Sequence, residues 1–514
     1  VEERFKFHPA AMLSGELLPH SGSPNGSLLQ QWRDLVAKEV GKQQRASWMA
    51  ASVLLALAGL RCLDVVVGRM HTTPAVLSRA RLLQTSNVTG ERFAEQAGTL
   101  VVSDFEFQGP VIDIGSDMDQ TLVGFGGAFT EASATVFAQM PAPLQQEVLE
   151  MYFGDEGIGY SLGRVHINSC DFSLSSYSFD DVDGDFDLAH FDSGLERDEG
   201  ALLPFVRAAQ KILHDRGEQL RMFASPWSPP AWMKQNGQMD GSSPHCLKED
   251  TRYSDVWARY ISKWLRAYEQ HGVKLWGITM QNEPEASQLW ESCLFSAEES
   301  AEFLSKHLGP TLAHDHPGLK IFFFDHNKDH VYHWAETLHA HPEAAQYASG
   351  VAIHWYAGDG FDNVAQAHKD FPGFELLATE ATWERYRWSP GSTPATGDWN
   401  FGLGYAHDIM GDLNAGASGW TDWNLLLNEK GGPNHVDNVC DAPVLYDTER
   451  HQLYVHPQYW FLAHFSKFLL PNSKRRITTV QGSSSYHGPT RLYGTCTAED
   501  GLQATTFQRP DGTL

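Results

Sequence analysis

Basic residues are scarce in this chain: 38 Lys and Arg stand against 64 Asp and Glu, for a formal net charge of -26. So acidic a surface repels a phosphate backbone and gains nothing from an anionic membrane, which excludes nucleic acid as a partner. Charged residues of both signs fill only 20% of the 514 positions, and 42% are hydrophobic, which excludes global disorder and leaves ample material for a core. Cysteine is sparse as well. The six, at 62, 170, 246, 293, 440 and 496, include no C-x-x-C pair, so neither a zinc ribbon nor a thioredoxin-type site is supported. Their pairing stays open, and Cys170 and Cys293 suit free buried thiols as well as disulfides. No G-x-G-x-x-G follows a strand and opens a helix, so the dinucleotide fingerprint is missing. Gly124-Phe-Gly-Gly127 lies inside a strand pattern and reads as crowded backbone, not a phosphate cradle. No cofactor or metal is implied.

Aromatics and histidine are plentiful, with 16 Trp, 28 Phe and 24 His. Most of the aromatic rings belong to a core. A minority at strand ends could stack on the apolar C–H faces of a pyranose. The histidines would add positive charge in an acidic compartment.

Residues 1–46 are polar and mixed, and read as a tail. The apolar run Trp48–Leu60 follows Lys42 and Arg45 and is interrupted by Arg61 and Asp64. It is short for a spanning helix and resembles a secretory signal; a small buried helix and a signal anchor remain open. Asn87-Val-Thr89 is a glycosylation sequon outside any predicted helix or strand. The expected locations are therefore the secreted state or a lysosomal or vacuolar lumen, with a signal-anchored membrane form as the variant.

From residue 121 onward, strand and helix signals alternate. Strands are predicted over Leu122–Phe129, Gly159–Ile167, Leu220–Trp227, Leu275–Gln281, Lys320–Phe324, Val351–Tyr356, Phe374–Thr379 and Ala417–Trp423. Several are nearly continuous apolar runs, as parallel strands buried on both faces should be. Helical stripes lie between them, clearest over Ser254–His271, and others at Ala297–Leu312 and Gln458–Leu470. The expected fold class is α/β: a (β/α)8 TIM barrel over 121–470, with a doubly wound open sheet as the alternative. Alternating segments at Leu100–Phe107, Val111–Ile114, Arg476–Val480, Arg491–Thr495 and Gln503–Phe507 predict a β-rich side domain built from 98–120 and 471–514. Residues 1–97 make up the N-terminal tail. The turn signal Pro510-Asp511-Gly512 without a following strand suggests a C-terminally truncated side domain.

Two strand-like runs end in one glutamate each: Trp276-Gly-Ile-Thr-Met-Gln-Asn-Glu283-Pro and Leu377-Ala-Thr-Glu380. Two carboxylates delivered from separate strand ends suit retaining glycoside hydrolysis, in which one protonates the leaving oxygen and the other attacks the anomeric carbon. Other polar or aromatic residues fall at the C-terminal strand ends, where barrels carry their chemistry: Asp171, Trp227, Asn282, Tyr356, Trp423 and Asn424.

Read in order, Gly124-Phe-Gly-Gly-Ala128, Ser169-Cys-Asp-Phe-Ser173, Ala224-Ser-Pro-Trp-Ser-Pro-Pro-Ala-Trp232, Gln281-Asn-Glu-Pro284, His354-Trp-Tyr356, Gly419-Trp-Thr-Asp-Trp-Asn-Leu425 and Gly431-Gly-Pro-Asn434 resemble glycoside hydrolase family 30, most closely its glucosylceramidases. The resemblance implies a barrel with a β-rich side domain and cleavage of β-glucosidic bonds with retention. Under it Glu283 matches the acid/base and Glu380 the nucleophile. Arg164 matches the residue that keeps the nucleophile ionised. Asp171, Trp227, Asn282, Trp423 and Asn438 match positions that hold the glucose unit. His354 and Tyr356 match residues beside the nucleophile, and Trp290 an aromatic at the pocket mouth. Blander roles stay open: a loop cap for Asp171, core packing for Trp227 and Trp423, a structural ion pair for Arg164. Glu285 reads as a solvated neighbour, and Glu283 is expected to be kept protonated by dry surroundings. Thr382 stands where animal members carry Cys. The implied partner is a β-glucoside, in particular a glycolipid, with transient contact to a lipid surface. The family also holds β-xylosidases and endo-β-1,6-glucanases, and an inactive carbohydrate- or lipid-binding barrel is a further alternative.

Overall fold

The structure, a computed structural model, describes residues 81–96, 110–384, 397–482 and 502–514. Eight parallel strands close into a barrel: Gly124–Ala128, Leu162–Ile167, Arg221–Pro226, Leu275–Thr279, Lys320–Asn327, Gly350–His354, Glu375–Glu380 and Gly419–Asn424. They coincide with the eight predicted runs, and the barrel replaces the doubly wound alternative. Closure comes from the first and eighth strands, with Gly124 beside Gly419 and Gly126 beside Thr421. The glycine-rich first strand is crowded backbone, as expected: a Cβ at Gly126 would lie 2.0 Å from the carbonyl oxygen of Leu162.

Side chains two residues apart on a strand share a face. Leu162, Phe322, Ala352 and Leu377 form one apolar cluster with Val123 and Trp276 near the strand starts. Two residues beyond Leu162 and Leu377 come Arg164 and Thr379, both fully buried. The interior therefore changes from apolar to polar along the strands, and the polar layer sits at the end that bears the loops.

The predicted helix Ser254–His271 begins earlier, at Thr251, because the Asp250 side chain accepts the Arg252 N–H as an N-cap. Its stripe of Val256, Trp257, Tyr260, Ile261, Trp264, Leu265 and Tyr268 is buried against the barrel. The single helix expected over Ala297–Leu312 is instead an α-helix Ala297–Phe303, a π-turn Leu304–Leu308 and a second α-helix Gly309–Asp315. Pro310 has no N–H for the usual bond, and Gly309 N–H reaches back to the Leu304 carbonyl.

Outside the barrel, Val111–Thr121 pairs antiparallel with Lys474–Gln481, which pairs antiparallel with Thr506–Gln508. One sheet thus joins segments from both sides of the barrel. The candidate strands Leu100–Phe107 and Arg491–Thr495 lie outside the described residues, as do the apolar run 48–60, Cys62 and Cys496. Two features were not foreseen. Leu83–Ser86 and Glu91–Glu95 form a hairpin inside the region read as tail. Its Phe93 ring packs on His464 and Phe468 beside the last barrel helix, so tertiary contact holds a pair of otherwise polar strands. The sequon Asn87–Thr89 occupies the hairpin's turn. A small sheet of Leu426–Asn428, Val444–Asp447 and Gln452–Val455 follows the eighth strand. No helix among the described residues is long and apolar enough to cross a membrane.

Cys293 pairs with Cys246, while Cys170 and Cys440 are free and buried. The bond ties the loop after the third strand to the loop after the fourth. Its sequence separation of 47 residues corresponds to about 4 kcal/mol of loop-closure entropy removed from the unfolded chain. Cys293→Ser should therefore lower the urea midpoint by an equivalent amount, read by tryptophan fluorescence, and reductant should do the same to the parent protein only.

Candidate active site

The C-terminal ends of the strands surround a cavity of about 380 Å³ lined by Asp171, Trp227, Asn282, Glu283, Tyr356, Glu380, Trp423 and Asn438. All eight are singled out by the sequence. Arg164 and His354, also singled out, lie beneath it, fully buried. A wider hollow of about 800 Å³ at the opposite end, near Arg221, Trp276 and Lys274, gathers no such groups.

Arg164 organises the floor. It is planar with five fixed donors, and each of its three nitrogens donates. Nε donates to Ser225 Oγ (3.0 Å), and Nη2 donates to Asn282 Oδ1 (2.8 Å) and Asp325 Oδ2 (2.9 Å). Nη1 donates to Glu380 Oε2. Its guanidinium carbon is 4.8 Å from the centre of the Trp227 ring and 5.4 Å from that of Trp423. The two indoles stack at 5.3 Å. An unpaired charge this deep would be prohibitively costly, so Arg164 needs a buried counter-charge, which Asp325 supplies, and the two carboxylates in turn need Arg164.

Glu380 ends the seventh strand. Its Oε1 accepts from Tyr356 Oη at 2.8 Å. Both oxygens are thus held by donors while the residue still lines the cavity. Burial, and secondarily the Glu380 charge, push the Tyr356 phenol well up, which keeps it a neutral donor. Asp171 receives Asn438 Nδ2 at 3.1 Å. Burial, with the Glu380 charge in support, pushes its carboxyl well above the usual range.

Glu283 follows the fourth strand in the left-handed region, at φ 47°, a conformation that a non-glycine residue adopts at a cost. Its N–H donates to the Asp325 carbonyl at 2.8 Å, which anchors that turn to the fifth strand. Its Oε1 lies 3.4 Å from His354 Nδ1 and 3.5 Å from His326 Nδ1. Here one expectation is corrected. Burial does push the Glu283 carboxyl up, but the charges of His326 and His354 outweigh it and hold the group below the usual carboxylate range. His354 is the companion case. Burial disfavours its charge, yet Glu380 and Asp325 push it up to about 9.

Asp325 was missed. Fully buried at the fifth strand's end, it accepts from Arg164, from His354 Nε2 (2.9 Å), and from Thr279 Oγ1 and Thr379 Oγ1 (both 2.6 Å). Burial pushes its carboxyl up, but Arg164 and His354 outweigh that and hold it well below the ordinary range. The fifth strand is the one strand between the first and the eighth with no polar or aromatic end residue predicted. Asp325-His326-Asn327 directly after Phe322-Phe-Phe324 was the available signal. His326, Asn327, Gln288 and Glu384 also line the cavity, and Trp290 does so as expected. Glu285 is more than a solvated neighbour: it accepts from Trp334 Nε1 (3.1 Å) and pairs with His330 (2.8 Å). Among the described residues, Glu283/His326/His354 and Asp240/Glu291/His435 are the two groups with the chemistry to hold a metal ion.

A (β/α)8 barrel with two glutamates facing one sugar-sized cavity, one clamped by Arg and Tyr and the other beside imidazoles, defines a glycoside hydrolase. The model of the glycosyl hydrolase family 30 TIM-barrel domain matches residues 122–469, and the chain belongs to that family. It is 38% identical to putative glucosylceramidase 3 of Caenorhabditis elegans over 379 residues, covering 72% of this chain and 70% of the relative. It is 34% identical to the lysosomal acid glucosylceramidase of Mus musculus over 400 residues, covering 76% and 73%. Among solved structures it resembles SrfJ from Salmonella typhimurium, with a TM-score of 0.73 and 30% identity over 84% of this chain and 90% of that one.

Proposed function

We propose that the chain hydrolyses glucosylceramide, or a closely related β-glucoside glycolipid, with retention at the anomeric carbon. The observation that carries this reading is the Glu380 carboxylate held by Arg164 and Tyr356 across one cavity from Glu283. A Glu380 oxygen attacks C1 as the glycosidic C–O bond breaks, and a proton passes through Glu283 to the departing aglycone oxygen. Water then attacks C1, gives its proton back through Glu283, and releases glucose and Glu380. His354, pushed up to about 9 and 3.4 Å from Glu283, is the neighbouring acid that supplies what an isolated low-lying carboxyl could not.

Arg164 fixes Asn282 by its Oδ1 and leaves the amide nitrogen as donor for the sugar 2-OH, a contact that strengthens in the transition state. Asp171 and Asn438 meet the remaining hydroxyls, and the Trp227/Trp423 pair walls the ring. Leu289, 86% exposed next to Trp290 of the cavity wall, provides an apolar contact for a lipid surface at the entrance. A substrate panel tests the specificity. Glucosylceramide in mixed micelles should exceed xylosides and β-1,6-glucan in kcat/KM. Preference for the glucan would move the reading to an endo-β-1,6-glucanase, and silence on every glycoside would leave a binding barrel.

An acidic lumen, or the secreted state, fits the stability of the fold. Asp198 and Asp422 are fully buried among tyrosines, and burial pushes them up to about 7 and about 8. An unfolded carboxyl titrates near ~4. The folded chain therefore binds more protons between these values, and stability falls as pH rises from about 4 to about 8. Glu199, pushed down to about 2 by hydrogen bonding to Arg207, against burial, sets the lower edge, since its contribution is lost as pH falls below the unfolded value. His464, pushed down to about 4 by burial, opposes the two aspartates with one proton against two. The melting temperature should peak on the acid side of neutrality. A maximum above neutral pH would contradict this assignment.

A further inference from the structure

A second cluster of metal-ligand chemistry lies apart from Glu283 and Glu380. Asp240, Glu291 and His435 bring two carboxylate oxygens and an imidazole nitrogen within 4.8 Å of one another. They come from three different loops, after the third, fourth and eighth strands.

The donors are arranged for a guest. His435 Nδ1 donates to the Ser173 carbonyl at 2.9 Å, which turns Nε2 toward Glu291 Oε1, 3.4 Å away. Metal-ligating histidines are oriented in just this manner by a carbonyl on the far nitrogen. Glu291 is 1% exposed, and its Oε1 accepts from Ser169 Oγ (2.7 Å) and Ser176 Oγ (2.6 Å). Its Oε2 is buried with no hydrogen-bond partner, and His435 Nε2 is in the same state. A buried carboxylate oxygen without a donor is expensive. An ion pair with His435 would address Oε1 and leave Oε2 unanswered. Asp240 is exposed and touches Ser176 Oγ at 3.3 Å, so the third ligand is also the way in.

We propose that Asp240, Glu291 and His435 bind a divalent transition ion, Zn2+ by the character of the donors, and that the ion clamps the rim of the substrate cavity. One imidazole and two carboxylates suit zinc, with a hydroxyl or water as the fourth ligand, whereas calcium selects oxygen alone. The net charge of -26 raises the local concentration of any cation. Glu291 directly follows Trp290 and His435 lies three residues before Asn438, so a single ion fixes two loops that wall the cavity, and Ser169, two residues before Asp171, is tied to it through its hydrogen bond to Glu291. The site has no part in bond cleavage and stands or falls independently of the glucosidase reading.

The test is calorimetric titration of Zn2+ into the chelator-stripped full chain at neutral pH, with the melting temperature followed in parallel. One saturable site is expected, with a rise in melting temperature. Asp240→Asn and His435→Gln should each weaken it by roughly tenfold or more and abolish the thermal gain, while circular dichroism stays unchanged. Asp240→Asn alters only an exposed side chain, so loss of folding does not obscure its result. His326→Gln, in the other cluster, should leave this site intact. No saturable binding, equal binding in the Asp240 and His435 variants, or loss with His326→Gln alone would overturn the assignment. Zinc binding as expected in a protein inactive on every glycoside would retire the proposed function and leave the metal site standing.

Discussion

Glu380→Gln lowers kcat on a β-glucoside by on the order of 10⁴-fold or more, with little change in melting temperature. The size follows from the step removed. An amide oxygen is too weak a nucleophile to form the glycosyl ester, so both halves of the double displacement are lost together. The stability forecast follows from the network. Glutamine is isosteric, its carbonyl can accept from Arg164 while its NH2 donates to Tyr356 Oη, and Arg164 keeps Asp325 at 2.9 Å as its buried counter-charge. Initial rates with a fluorogenic β-glucoside at acid pH, paired with thermal melts, check both halves. Substantial residual turnover in a folded Glu380→Gln protein would remove Glu380 from the reaction.

Arg164→Met should be the most destabilising single change in the barrel, at about 3–5 kcal/mol. The substitution preserves bulk and deletes charge. Asp325, fully buried, would keep only His354 and three hydroxyl donors, and Glu380 only Tyr356. Two carboxylates that now share one guanidinium would repel each other in a site closed to water. Activity should disappear with the fold, so stability is the informative readout. In urea titrations, Arg164→Met with Asp325→Asn should cost clearly less than the sum of the two single changes, because the second removes the charge that the first left unpaired. Strict additivity would mean that Arg164 only packs against Trp227 and Trp423.

The barrel was legible because its strands are apolar on both faces, and a run such as Ile321–Phe324 has few alternatives. The cavity was legible because the residues that face it sit where those runs stop. Legibility ended where a contact spans the fold. Asp325 looked like the start of a loop, since a charge after the apolar run Ile321–Phe324 ordinarily leaves the core; only Arg164, far upstream, makes it an interior residue. The state of Glu283 was misread for the same reason. Dry surroundings can be inferred from neighbours in sequence, but His326 and His354 arrive from the fifth and sixth strands and reverse the sign. The hairpin of Leu83–Glu95 has no apolar alternation of its own and depends on Phe93 meeting the last helix. The division of the helix at Leu304 was visible in Pro310 and overlooked, because the apolar spacing carries through it.

The assignment of Glu380 as nucleophile and Glu283 as proton carrier is the centre of the account, and trapping the intermediate tests it most directly. A 2-deoxy-2-fluoro-β-glucoside with an activated leaving group forms the glycosyl-enzyme and then hydrolyses slowly, because the fluorine destabilises the oxocarbenium-like transition state. Peptide mapping of the trapped protein by mass spectrometry should place one glycosyl group on Glu380, and turnover of the ordinary glucoside should release β-glucose first by proton NMR. A label on Glu283 or on any other side chain, or α-glucose as the first product, would contradict it.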